Sequence, residues 1–177
     1  SSLINLKKSV LGGGVDLSDV GRQIDAIRII HDKLYQSDNI THINIKEYLD
    51  DLLKTVFSFE NGPVQVDLVT EIKDLHTKTA VPLGIIVNEI ATNAIKHGFN
   101  NKENAAFSVD LKRDEDRQQY VLKLSNTGNH FPENVDIENP TSLGLRLISA
   151  LVEQLSGGIE LIRKPHPEFI IRFPIEK

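Results

Sequence analysis

The sequence predicts an α+β fold. Specifically, it predicts a two-layer α/β sandwich, a mixed sheet with helices on one face, preceded by a partial two-helix hairpin. Two observations point there. Paired segments alternate apolar and polar residues at period two and are joined by charged or proline-rich turns, which is how hairpin strands read. Three other stretches downstream of residue 40 carry apolar residues at helical spacing. Hairpin strands mixed with helices imply helices packed on one face of a mixed sheet.

In chain order, Leu3, Leu6, Val10 and Leu11 form a short apolar-periodic stretch cut off by Gly12, Gly13 and Gly14. Three glycines end a helix and make a flexible connection. From Ser18 or Asp19 the helical pattern resumes with Val20, Ile24, Ile27, Ile30 or His31, and Leu34, so residues 1–38 read as two helices folded back on each other. A boundary near residues 37–44 divides the chain into a hairpin, 1–40, and an α/β domain, 41–177.

Within that domain a helix is expected from Asn44 to Ser58, with Ile45, Tyr48, Leu49, Leu52, Leu53 and Val56 on one side. Asn61-Gly62-Pro63 signals a turn. Val64, Val66, Leu68 and Thr70 then alternate as a half-buried strand. Pro82 is placed near the start of the next helix, where its missing N–H costs nothing, and that helix runs to about His97. Phe107–Arg113 and Tyr120–Ser125 form a hairpin across the charged stretch Asp114–Gln119. A loop, residues 126–139, leads to a helix from Thr141 to Leu155, closed by Gly157-Gly158. Ile159–Arg163 and Glu168–Pro174 are the last strands.

Composition narrows the function. The chain has 177 residues, begins at Ser1 and holds no methionine, so it is expected to be a piece of something longer. With no cysteine, thiolate nucleophiles, disulfides and cysteine-zinc sites are excluded. A net charge of −5 argues against nucleic acid as a partner, because neutralising many phosphates takes a basic surface. No apolar run approaches the roughly 18 residues of a membrane span, and no signal peptide is visible, so a cytoplasmic location is expected. The six histidines show no i, i+4 pairing that would suggest zinc. Leu155-Ser156-Gly157-Gly158 lacks the phosphate loop that transporter ATPases pair with such a sequence, so it reads as a helix C-cap.

Three segments carry chemistry. In VPLGIIVNEIATNAIKHGF, residues 81–99, Ile86, Ile90 and Ala94 make an apolar stripe. Glu89, Asn93, Lys96 and His97 fall at i, i+4, i+7 and i+8 on another face. A solvated helix face would read the same way, but asparagine is a poor interior helix residue and this helix has two, Asn88 and Asn93. One carboxylate, one amide oxygen and two nitrogen groups could hold a hydrated Mg²⁺ and touch phosphates. The second segment, Ser125-Asn126-Thr127-Gly128-Asn129-His130, follows a strand and is either a ligand-binding turn or simply a turn. The third, Ser142-Leu143-Gly144-Leu145, opens a helix whose free N–H groups favour an anion, as those of any capped helix do.

In this order the three segments resemble the N box and the first and second glycine boxes of the ATP-binding domain of sensor histidine kinases, a fold shared with gyrase-type ATPases. NEIATNAIKH matches the N box almost residue for residue. The stretch from Arg22 to Leu53 resembles the second dimerisation helix, and the helix after it, of the subfamily with an H-R-V-K-N-N-type phosphoacceptor. The resemblance implies a protein-histidine kinase of two-component signal transduction that uses ATP and Mg²⁺. It gives Glu89 the role of polarising the attacking imidazole or a water, and Asn93 that of Mg²⁺ ligand. Lys96 and His97 would lie near the phosphates, and Asn126 would accept the adenine amino group. Gly128, Ser142, Leu143, Gly144 and Leu145 would let backbone approach the nucleotide, under a short lid of residues 129–143. The implied partners are a response-regulator receiver domain and a second copy of the hairpin.

The sequence departs from that pattern. Asn126 replaces an aspartate, His130 a glycine, and Ile170 the threonine common on the last strand. The acceptor histidine is expected upstream of Ser1, with His31 a helix-packing or hinge residue. These departures keep a second reading open: a non-catalytic dimerising scaffold with a degenerate pocket that docks a response regulator.

Overall fold

The computed structural model describes residue 28, which is helical, and residues 41–58, 63–99 and 104–175. Apart from residue 28, the expected hairpin of residues 1–38 lies outside the described residues, with the Gly12–Gly14 linker, His31, and Asn61 and Gly62 of the expected turn.

The chain runs β1 (His42–Asn44), α1 (Ile45–Phe57), β2 (Gln65–Thr70), β3 (Asp74–His76), α2 (Thr77–Asn93), a π-helical turn (Ala94–Gly98), β4 (Ala106–Asp114), β5 (Gln119–Asn126), α3 (Leu143–Gln154), β6 (Gly158–Ile162) and β7 (Glu168–Pro174). Five strands form one sheet in the order β2-β4-β5-β7-β6. β2 pairs with β4 in parallel, and every other neighbour in that sheet is antiparallel, so the sheet is mixed as expected.

Register decides which side chains meet the helices. Phe107, Val109 and Leu111 of β4, Leu122 and Leu124 of β5, and Phe169, Ile171 and Phe173 of β7 are buried. Cross-strand pairing puts them on one face. Against that face lie Leu52 and Leu53 of α1, Leu83, Ile86 and Ile90 of α2, and Ile148 and Val152 of α3, all in one core. Burying each such side chain stabilises the fold by about 1.5–3 kcal/mol. The outer face is polar, with Ser108 and Ser125 hydroxyls 2.6 Å apart and Arg172 paired with Glu160.

Three details differ from the sequence reading. β1 and β3 form a small antiparallel sheet not anticipated from sequence, since three-residue strands carry no readable alternation. It aligns the starts of α1 and α2, because Ile45 N donates to Lys73 O and Thr77 N donates to Thr41 O. Second, α2 begins at Thr77, so Pro82 sits in its second turn, inside the helix rather than near its start. Third, the left-handed residue that ends α3 is Ser156 (φ 54°), not a glycine. Gly157 is needed for space instead: a β-carbon there would lie 2.6 Å from Arg172 O.

Candidate active site

The second half of α2 supplies the first wall. Its apolar residues Ile86, Val87, Ile90 and Ala91 face the core, yet Glu89 is also only 6% exposed. A solvated helix face does not bury a carboxylate, so the bland reading of this stripe fails at Glu89. Asn93 and Lys96 are half-buried and His97 is exposed. The helix then widens into the π turn, closed by Phe99 N to Ala94 O at 3.1 Å. Lys96 and His97 lie in that turn, so their directions depart from ideal α spacing.

The second wall is the end of β5. Asn126 pairs with Phe107 and shares its helix-facing side, 6% exposed. Its Oδ1 accepts the Gly128 N–H at 2.9 Å. Gly98, at the end of the π turn, packs directly on this atom; a β-carbon at 98 would be 3.1 Å from it. A β-carbon on Gly128 would be 2.6 Å from Gly98 O, and Asn129 N donates to that same oxygen at 3.0 Å. Gly98 was not singled out from the sequence, although its place one residue after the N-box histidine was the available signal.

The start of α3 is the third wall. Ser142 caps the helix, its hydroxyl accepting the Leu145 N–H at 3.4 Å. Leu145 is buried and Leu143 is 54% exposed. Gly144 faces Glu89: a β-carbon there would stand 2.8 Å from Glu89 Oε2. The tertiary structure therefore brings the three sequence segments together around Glu89, Gly98, Asn126, Gly128 and Gly144.

Residues 1–60 match the family model described as histidine kinase. A blue-light-activated histidine kinase of Erythrobacter litoralis is 24% identical over 171 residues, covering 92% of this chain and 48% of that protein. The sensor histidine kinase PdtaS of Mycobacterium tuberculosis is 24% identical over 159 residues, 87% of this chain and 31% of that protein. The chain thus spans about half or less of the curated relatives it matches. Among solved structures, the histidine kinase domain of a blue-light activated kinase from Erythrobacter litoralis superposes with a TM-score of 0.79 at 20% identity, over 97% of this chain and 81% of that one. The ATP binding domain of PrrB from Mycobacterium tuberculosis gives 0.61 at 21% identity, over 77% and 98%. The comparisons support a sensor histidine kinase catalytic core.

The loop after Gly128 is not one free lid. Arg163 holds its first part, donating to Pro132 O at 2.6 Å and Val135 O at 2.9 Å. The stretch that follows turns at Asp136, whose carboxylate accepts from Glu138 N at 2.8 Å and Asn139 Nδ2 at 3.2 Å. Those hydrogen bonds, the Glu138 one foremost, hold the Asp136 carboxyl below the usual carboxylate range.

Two of the three departures from the family pattern lose their force. His130 is exposed, so its bulk points to solvent. Ile170 pairs with Lys123 and Glu160, on the outer face, whereas Asn126 is on the helix-facing side. The parity of the strand puts Ile170 and Asn126 on opposite faces of the sheet, since neighbouring residues point to opposite faces. A cavity of about 330 Å³ also opens beside the outer face, bounded by Ser108, Ser125, Asn126, Thr127, His166 and Glu168, so it borders the Asn126 turn.

Proposed function

We propose that this chain binds Mg-ATP between α2, the Asn126–Gly128 turn and the start of α3. As the catalytic core of a sensor histidine kinase, it would transfer the γ-phosphate to a histidine N-terminal to the α/β domain. The observation that carries this reading is the approach of Gly144 to Glu89 beside the Gly98–Asn126–Gly128 contact. Glycines occur where only backbone fits, and backbone N–H groups at a helix start are the usual cradle for phosphate.

The residues fit the parts such a transfer needs. Asn126 Oδ1 has one lone pair engaged by Gly128 N–H, leaving a second to accept an adenine amino group. The N–H groups of Leu143 and Gly144 open α3, whose positive end favours phosphate, while that of Leu145 meets the Ser142 hydroxyl and would have to leave it to reach a phosphate. Among the described residues no three His, Cys, Asp or Glu side chains converge on a metal position. A Mg²⁺ here would take Asn93 and complete its shell with phosphate oxygens and water, as Mg²⁺ at phosphates commonly does. When bound, Mg²⁺ would neutralise charge on the phosphates. Glu89 would accept a hydrogen bond from the acceptor imidazole, favouring attack by its other nitrogen. Lys96 and His97, on the adjoining turn, would bring positive charge or donors toward the phosphates. The chain's part is positioning and charge neutralisation.

The same reading divides the chain at about residue 40, with residues 1–40 forming the dimerisation hairpin. It makes a response-regulator receiver domain the downstream partner and places the protein in the cytoplasm. No helix among the described residues is long and apolar enough to cross a membrane. The scaffold alternative now rests on Asn126 alone. Calorimetric titration with Mg-ATP decides between them: saturable binding that Asn93→Ala abolishes is expected. Absence of heat with the unsubstituted chain would sink the kinase reading.

A further inference from the structure

The β6–β7 connection, residues 163–167, reaches across to the segment that follows β5. Arg163 anchors it, with both guanidinium nitrogens on the carbonyls of Pro132 and Val135. Its guanidinium carbon lies 5.6 Å from the centre of the Phe131 ring, and its own carbonyl accepts the Phe131 N–H at 3.0 Å. Phe131 in turn meets Phe169 of β7 edge-on at 5.6 Å. Pro167 O accepts the Asn126 N–H at 3.3 Å. His166 Nδ1 lies 2.7 Å from Gly128 O. A carbonyl oxygen only accepts, so Nδ1 carries the proton and donates.

Gly128 has no side chain by which packing could hold it, and glycine has the widest conformational freedom of any residue. Its position must come from what grips its backbone. On one side Asn126 Oδ1 takes its N–H and Gly98 closes over it. On the other side His166 takes its carbonyl. Arg163 does the same for the next stretch, and its planar fork spans two carbonyls as a lysine point charge cannot.

We propose that His166 and Arg163 are positioning residues of the nucleotide site. They lie outside the three boxes: His166 holds the Asn126–Gly128 turn in a preformed, base-accepting shape, and Arg163 fixes the stretch that follows it. This rests on the Mg-ATP reading given above. A preformed turn spares the ligand the cost of ordering it, so loss of a grip weakens binding without removing a contact to the nucleotide. Because the turn faces the base, ADP and a non-hydrolysable ATP analogue lose affinity equally.

The test uses the 177-residue chain and its variants His166→Phe, His166→Gln, Arg163→Ala and Arg163→Lys. Amide hydrogen exchange of residues 126–131 is measured beside calorimetric titration with ADP and the analogue. His166→Phe is expected to speed exchange in that segment and weaken both nucleotides roughly ten-fold, about one hydrogen bond's net contribution. His166→Gln, which retains an N–H donor, restores most of the affinity; Arg163→Lys restores little relative to Arg163→Ala. Thermal unfolding of the His166 variants stays within about 4 °C of the parent, which separates positioning from loss of fold. Unchanged affinity in His166→Phe, where the parent binds, overturns the proposal alone. So does a loss that His166→Gln fails to rescue. A parent chain that binds neither nucleotide overturns the Mg-ATP reading, and the proposal with it.

Discussion

Gly144, at the start of α3, stands so close to Glu89 of α2 that a β-carbon on it would fall 2.8 Å from the carboxylate Oε2. The glycine therefore leaves room for the group proposed to act on the imidazole. Gly144→Ala separates stability from function. The clashing atom is the free end of a side chain, so Glu89 can turn aside, and alanine in a helix gains about 0.5–1 kcal/mol over glycine. Thermal unfolding is expected at or slightly above the parent value, while phosphotransfer to a histidine-containing hairpin falls at least roughly ten-fold, about 1.4 kcal/mol of transition-state stabilisation. Parent-like turnover would show that the Glu89 position does not matter.

Asn126→Asp restores the charge that the family pattern carries at this position. Its carboxylate keeps the Gly128 N–H bond, now charge-assisted, and offers the same to an adenine amino group. Roughly ten-fold tighter ADP binding by calorimetry is expected. Burying the charge costs the ligand-free protein some stability, so ADP should raise the unfolding temperature more than in the parent. Weaker binding would mean Asn126 does not face the base.

Tyr48 packs its ring on Gly84 and leaves its hydroxyl buried without a hydrogen-bond partner among the described contacts. Tyr48→Phe removes that penalty and is expected to stabilise the fold by about 1 kcal/mol in urea unfolding. Gly84→Ala, whose β-carbon would come 1.8 Å from the Tyr48 hydroxyl, destabilises by about 1–3 kcal/mol through overpacking.

The same hydroxyl predicts a pH dependence. Burial pushes its pKa well above the ordinary tyrosine value, so the folded state keeps the proton where the unfolded chain releases it. The unfolded state then binds fewer protons above about pH 10, and stability falls as pH rises, by up to about 1.4 kcal/mol per unit. Below pH 10 this group has no effect. Comparing urea midpoints of the parent and Tyr48→Phe from pH 8 to 11 isolates it; parallel curves would contradict the burial.

Asp136 works in the opposite direction. Its folded pKa is depressed, first by the Glu138 N–H bond and then by Asn139, so the turn is held above the ordinary carboxylate pKa of 3.8 and released as pH falls through the depressed value. The side chain is exposed, so global stability stays unchanged. Carboxyl titration by NMR should find Asp136 below the ordinary aspartate value, with the Glu138 amide exchanging faster once it is protonated.

Much of the α/β domain was legible because its signals are local. Period-two alternation located β2, β4, β5, β6 and β7 to within about two residues, and helical spacing located α1 and α3. The start of α2 was misplaced because proline's preference for a first turn was applied to Pro82, which tertiary packing tolerates five residues into the helix. The β1–β3 pair was too short for any periodic signal.

For the site, residue types and spacing along the chain made Glu89, Asn93, Asn126, Gly128 and Gly144 candidates, and only the order of their segments, through its resemblance to the three boxes, gave them roles. Those signals lie within single segments, and the chemistry of each segment can be read without its neighbours. Which face each residue takes, and what it meets, was settled by long-range register. The pairing of β5 with β4 and β7 puts Asn126 on the helix-facing side and Ile170 on the outer side. The contacts of Gly98 with Asn126, of Gly144 with Glu89 and of His166 with Gly128 join residues 28 to 55 positions apart. No local pattern encodes such pairs, because they form only when the sheet brings separate segments to one end.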